Sequence, residues 1–102
     1  MSAAHLVVLY NAPKDPAAFE KYYAANHLPL VAKHAKEIGI LKTVLVKFAP
    51  NSGFYRKGEL TFASTEALNK AMSTLGFKAI ADDIPVFATG GFTVLTGEET
   101  PS

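Results

Sequence analysis

The sequence predicts an α+β fold: a ferredoxin-like β-α-β-β-α-β domain with an antiparallel four-stranded sheet. Three observations carry this. Residues 5–11, 40–49, 54–63 and 92–96 form short runs rich in β-branched and aromatic residues, bounded by Pro, Gly and Asn. The two longer stretches between them repeat apolar residues every three or four positions, as helices do. The order of these pieces is that of a split βαβ unit. With 102 residues the chain has the size of one ordinary domain, so residues 1–102 are read as a single domain.

The first strand, HLVVLYN, stops at the turn signal Asn11-Ala12-Pro13. Asp15 then caps a helix, and Pro16 takes its first position, where a missing N–H costs nothing. Phe19, Tyr23, Asn26 or His27, Leu30 and His34 share one face of this helix, while Lys21, Lys33 and Lys36 mostly fall elsewhere. Pro29 removes a backbone donor and disfavours helical geometry at Leu28. A kink or break is expected near residues 26–28, with a second helical piece over 29–37 and Gly39 as its C-cap. Strand 2 covers residues 40–49, Pro50-Asn51-Ser52-Gly53 turns the chain, and strand 3 covers 54–63 with Gly58 as a candidate bulge. Ser64 caps the next helix, which carries Leu68, Ala71, Met72 and Leu75 along one side until Gly76 breaks it. Phe77, Ile80, Ala81 and Ile84 mark a further short helix ending before Pro85, and Gly90-Gly91 leads into strand 4. The tail from residue 98 is polar and expected to be loose.

Ten Lys and Arg against nine Asp and Glu leave a net charge of +1, with no basic field for a nucleic acid backbone. No apolar run approaches the roughly 18 residues of a membrane span, and the N-terminus has no signal-peptide pattern, so no membrane partner is expected. The absence of cysteine removes disulfides, thiolate catalysis and thiolate metal sites, and fits a reducing cytoplasm, the expected location. Both faces of the strands are apolar. Leu6, Val8 and Tyr10 oppose Val7 and Leu9, and Ile40, Val44, Val46 and Phe48 oppose Leu41 and Leu45. Two helices cover one face only. A second copy packed sheet against sheet is the simplest cover for the other, so a homodimer is expected.

The densest group of residues able to do chemistry is Phe19-x-x-Tyr22-Tyr23-x-x-x-His27-x-Pro29-Leu30. At four-residue spacing Tyr23 and His27 are neighbours one turn apart. An imidazole can take or give a proton near neutral pH, and a phenol can donate to an oxygen that gains negative charge. The bland reading of the same residues is half-buried aromatics with wet hydroxyls and a histidine that caps or packs. Tyr10 either lines a pocket or closes the core. Arg56 is an anion clamp or, better, an interface salt bridge, and Asp82-Asp83 reads as a solvated helix end. His5 is a surface residue at a strand start. No metal site is expected. His27 and His34 stand seven residues apart, about 10 Å along an unbroken helix, too far for one zinc ion.

From Leu9-Tyr10 through Asp15, Phe19, Tyr22-Tyr23, His27 and Pro29-Leu30, and again at Ala81-Asp82-Asp83-Ile84-Pro85-Val86-Phe87 and Gly90-Gly91, the sequence resembles the EthD-domain family. The Tyr-Tyr-x-x-x-His-x-Pro-Leu stretch is the most specific part. The resemblance implies a dimeric α+β barrel, whose superfamily includes polyketide cyclases, muconolactone isomerase, haem-degrading monooxygenases and cofactor-free quinone-forming monooxygenases. It also implies a small flat organic ligand held between the first helix and the sheet. The family takes its name from an operon for fuel-ether degradation. Haem is not expected, because the haem-degrading relatives use an Asn–Trp–His set and this chain has no tryptophan. A dinucleotide is not expected either, since no G-x-G-x-x-G follows a strand and opens a helix. The expected function is thus an enzyme without cofactor, acting on an aromatic or enolisable compound by proton transfer or cofactor-free oxygen chemistry. His27 and Tyr23 would be catalytic, with Tyr10, Tyr22, Phe19, Leu30 and His34 binding the substrate. The alternative is a non-catalytic metabolite-binding or accessory module. In an enzyme His27 should touch both the ligand space and an orienting partner; in a module it should be satisfied by backbone and shielded from the cleft.

Overall fold

The computed structural model describes residues 2–102. In chain order it has β1 (Ala4–Tyr10), α1 (Pro16–Tyr22), a π-helical turn (Tyr23–His27), α2 (Leu28–Ile38), β2 (Lys42–Lys47), β3 (Arg56–Phe62), α3 (Thr65–Ala71), α4 (Leu75–Phe87) and β4 (Phe92–Glu98). The strands form one antiparallel sheet in the order β2-β3-β1-β4, the ferredoxin-like arrangement.

Local chemistry accounts for the helix starts. Asp15 accepts from the Ala18 N–H at 3.1 Å, Ser64 from Ala67 at 3.1 Å, and Thr74 from Phe77 at 3.1 Å, each satisfying a donor that the first turn leaves free. Gly39 closes α2 in the left-handed conformation, φ 88°, which a side chain would resist.

The expected break before Pro29 is instead a π-helical turn. The helical dihedrals run on through Leu28, whose N–H reaches the Tyr23 carbonyl five residues back. Phe19, Tyr23, His27 and Val31 are all buried, at a strict spacing of four. In an α-helix each such step overshoots the face by about 40°. The wider π turn takes up the surplus and keeps all four on the sheet side.

Four further expectations need correction. Gly58 is no bulge: it pairs in register with Val8 on one side and Leu45 on the other. Gly76 does not break a helix but lies in the first turn of α4, whose start is set by the Thr74 cap. Pro85 does not end that helix, which runs on to Phe87. A helix-interior proline costs about 3 kcal/mol. Burying Ile84 and Phe87 returns about 1.5–3 kcal/mol each, which outweighs it. Strand 4 also extends beyond residue 96, to Glu98.

The core lies between the sheet and the helices. Ala4, Leu6, Val8 and Tyr10 of β1 meet Phe19, Tyr23, Val31, Ile80, Ile84 and Phe87. Tyr10, Phe19, Tyr23 and Phe87 pack mostly edge-on or tilted, with ring centroids 5.1–5.9 Å apart. Arg56 points into this side and forms an ion pair with Glu20 of α1, so it is an internal tie rather than an interface salt bridge. Tyr55 donates to the same carboxylate at 2.8 Å. These bonds hold Glu20 down at about 2, and burial and the Glu20 hydrogen bond push Tyr55 up to about 12. On the helix-free face the register aligns Val44, Glu59, Val7 and Leu95 in one row and Val46, Lys57, Leu9 and Thr93 in the next. His5 lies on this face, half-buried between Glu59 at 3.3 Å and Glu99 at 2.6 Å, rather than free at the surface.

Candidate functional site

α2 and α4 stand off the sheet and leave a cavity of about 340 Å³. Its floor is the helix-side face of the sheet, with Leu6, Val8, Leu45, Leu60 and Val94, and its roof is Leu28, Val31, Phe77, Ile80 and Ile84. The wall is almost wholly apolar. The lining residues with polar side chains are His27, Tyr10, Tyr23 and Thr43.

His27 is 4% exposed. The π turn sets it one turn after Tyr23, and the two rings stack with centroids 5.7 Å apart. Its Nδ1 lies 2.9 Å from Asp83 Oδ2, and Tyr22 donates its hydroxyl to Asp83 Oδ1 at 2.6 Å. Asp83 therefore bridges the π turn to α4, with its side chain 15% exposed. A carboxylate can only accept, so the neutral ring carries its proton on Nδ1. Nε2 then keeps its lone pair. Among the described residues no buried side-chain nitrogen lacks a partner, and the hydrogen bonds of His27 end at Asp83. Nε2 thus opens to accessible space, in a ring that forms part of the cavity wall.

Burial is the main influence on His27 and lowers its pKa; the Asp83 hydrogen bond pulls the other way without prevailing. The ring is neutral at pH 7, the form a general base needs. Burial likewise raises the phenols of Tyr10 and Tyr23, so both stay protonated and able to donate. Arg56 lies 5.0 Å from the centre of the Tyr23 ring and tempers that rise.

The structure brings together His27, Tyr23 and Tyr10 of the sequence-derived set. Tyr22 lies on the far side of Asp83 and, with Phe19, borders a shallower groove that also includes Lys14 and Val86. Phe19 is a buried core residue. Leu30 packs against the core, and His34 binds Glu37 at 3.1 Å, whose other oxygen accepts from the Gly76 N–H; neither forms part of the cavity wall. Asp83, read from sequence as a solvated helix end, is the inward partner of His27. Its spacing from Ile80 and Phe87, three and four residues, carried the signal, but ending the helix before Pro85 hid it.

Among the described residues no group of three His, Asp or Glu is arranged to hold a metal ion, and no helix is long and apolar enough to cross a membrane.

The sequence and the fold have counterparts in known proteins. An uncharacterised 11.0 kDa protein from the thcB-thcC intergenic region of Rhodococcus erythropolis is 35% identical over 98 residues, 93% of this chain and 94% of that one. The crystal structure of an ethyl tert-butyl ether D (EthD) family protein from Bacillus halodurans superposes with a TM-score of 0.85 at 32% identity, covering 98% of this chain and all of that one. SnoaB, a cofactor-independent oxygenase of Streptomyces nogalater, shares the fold with a TM-score of 0.66 at 18% identity, over 98% and 97% of the two chains. Residues 11–91 match the EthD domain, from the end of β1 through both helical pairs to the edge of β4, and the chain belongs to the EthD-domain family.

Proposed function

We propose that this protein is a small-molecule enzyme that moves a proton on an uncharged aromatic or enolisable substrate, with His27 as the proton carrier. One observation carries the reading: a single imidazole both walls an apolar cavity and is held from behind by a carboxylate. That supports the enzyme reading over the binding module. A binding module called for a histidine satisfied by backbone and shielded from the cleft.

In the proposed step, Nε2 takes a proton from a carbon next to a carbonyl, or from a phenol. The electron pair left on the substrate moves onto its oxygen, where Tyr23 or Tyr10 donates a hydrogen bond. The imidazolium formed is stabilised by Asp83 through Nδ1 and returns its proton to another position of the substrate, giving an isomer; where the enolate carbon first bonds to a second carbonyl carbon of the same molecule, the C=O π pair moves onto that oxygen, which takes the proton and leaves a cyclised product. The wall selects against charge, since a charged group would lose its hydration there without finding a partner. An electron-rich ring deprotonated in the same way could react with oxygen directly, and the fold shared with SnoaB makes that the second chemistry to assay. The protein acts as a homodimer with the helix-free faces together. Val7, Leu9, Val44, Val46 and Leu95 support this, as apolar side chains that need cover on a face where β3 contributes the mutually paired Lys57 and Glu59.

The test begins with a thermal-shift screen of phenols, quinones and short β-keto compounds. Compounds that stabilise the protein are then incubated in D₂O, and deuterium uptake at their acidic carbon is followed by NMR. His27→Ala, which removes a buried ring and its bond to Asp83, should remain folded but melt below wild type, and should lose roughly 10²–10⁴ in exchange rate. Exchange that is unchanged in His27→Ala refutes the reading.

A further inference from the structure

The cavity floor has a gap at one position. Its central row runs Leu45, Gly58, Val8, Val94 across the four strands, with an apolar side chain on every strand except β3. Glycine inside a strand is destabilising, because it packs nothing and loses the most conformational freedom on folding. It is normally there for one of three reasons: a positive φ, a bulge, or the close approach of another group to the backbone. The first two fail. Gly58 is not among the positive-φ residues, and it pairs in register on both sides. The third fails for protein atoms. A Cβ at this position would meet the Tyr23 hydroxyl at 3.6 Å and Leu45 Cδ2 at 3.9 Å, both ordinary contacts. The fold would accept alanine here. The remaining group that can approach is one inside the cavity.

We propose that Gly58 is the specificity-determining residue of the cavity: its bare backbone is the surface on which the flat face of a ring larger than a single benzene ring lies, edge toward the Tyr23 hydroxyl. The proposal rests on the reading of the cavity as the substrate site and adds the size and shape of what it takes. A substituent at residue 58 projects from the floor between Leu45 and Val8 and lifts a large ring off the sheet. A small ring has room to move aside.

The probes are 2-naphthol and phenol, with binding to wild type, Gly58→Ala and Gly58→Val measured by NMR titration and stability by urea denaturation. Gly58→Ala should be more stable than wild type, because it removes a strand glycine without a clash. Gly58→Val, which adds three carbons, should bind 2-naphthol at least about tenfold weaker and phenol within about threefold of wild type, since even one methylene in an apolar pocket changes affinity about tenfold or more. Naphthol affinity unchanged in both variants, or lost in parallel with that of phenol, overturns the proposal. A less stable Gly58→Ala also overturns it, since the glycine then serves the fold. If wild type binds neither probe, the cavity reading itself fails, and this inference with it.

Discussion

Replacing Asp83 by asparagine isolates what the carboxylate does for His27. The change keeps size and shape and removes the charge. Asp83 accepts two hydrogen bonds, from the His27 ring at 2.9 Å and from the Tyr22 hydroxyl at 2.6 Å. Bonds to a charged acceptor contribute about 1.5–3 kcal/mol each, and bonds to a neutral amide about 0.5–1.5 kcal/mol. The amide of the variant can still bond both neighbours, so the expected cost at pH 7.5 is roughly 1–3 kcal/mol, a fall in melting temperature of about 5–15 °C for a chain this short. The cost should then grow as pH falls. His27 has a folded pKa below its ordinary 6.5 because of burial, and Asp83 is what holds it up. Below pH 6.5 the unfolded chain binds the proton first, so stability present above 6.5 is lost on the acid side. Without Asp83 the folded pKa drops further and the loss deepens. Urea denaturation at pH 7.5 and 5.5 reads the energies, and ¹⁵N NMR reads the ring. In wild type the proton sits on Nδ1; in Asp83→Asn, where the amide offers a donor as well as an acceptor, an Nε2–H form should appear. A variant with unchanged stability at both pH values and a ring still protonated only on Nδ1 would refute the argument that Asp83 sets the state of the base.

Removing the Tyr22 hydroxyl with Tyr22→Phe leaves the Asp83 charge less dispersed and pulling harder on the imidazolium, so His27 should titrate at higher pH in an NMR titration; a downward move contradicts the bridging role. Glu20→Gln should cost on the order of 1–2 kcal/mol at pH 7. Because Glu20 is held down at about 2 from 4.5, the gap to wild type should close as pH falls across that window, and a gap independent of pH would place the effect elsewhere. Deleting Ala25, an exposed residue of the π turn, removes the one-residue surplus, so the turn should close into ordinary α-helix with Val31 still on the sheet side. Circular dichroism should show a folded chain with wild-type helix content, and an unfolded or molten chain would mean that the π turn does not act as a one-residue insertion. Sedimentation of the wild type should give about twice 10.9 kDa, while Val46→Asp, with a charge on the helix-free face, should aggregate or unfold; a wild-type mass near 10.9 kDa removes the dimer.

Short-range chemistry decided what the amino-acid sequence alone could determine. The positions of the strands along the chain follow from alternation and turn residues, the helix starts from Asp15 and Ser64, the end of α2 from Gly39, and the disturbance ahead of Pro29 from a donor that proline lacks. Each of these depends on groups within four or five residues of one another, so the pattern is visible along the chain. The same spacing placed Tyr23 beside His27. The π turn was half legible: the strict four-residue repeat of Phe19, Tyr23, His27 and Val31 is in the sequence, but only the demand to bury all four against one sheet selects the wider helix over a break. The tertiary structure alone decided the rest of the site. Asp83 meets His27 across 56 positions and Tyr22 across 61, through the packing of α4 on the π turn. Local propensity would have ended that helix at Pro85, and the burial of Ile84 and Phe87 carries it on. Arg56 could have faced a partner, and the position of α1 gave it Glu20 instead. Gly58 reads as a bulge along the chain and becomes a gap in a cavity floor only once three other strands and two helices surround it. Packing free energy is summed over groups distant in sequence, so it can override a local signal that is correct in itself.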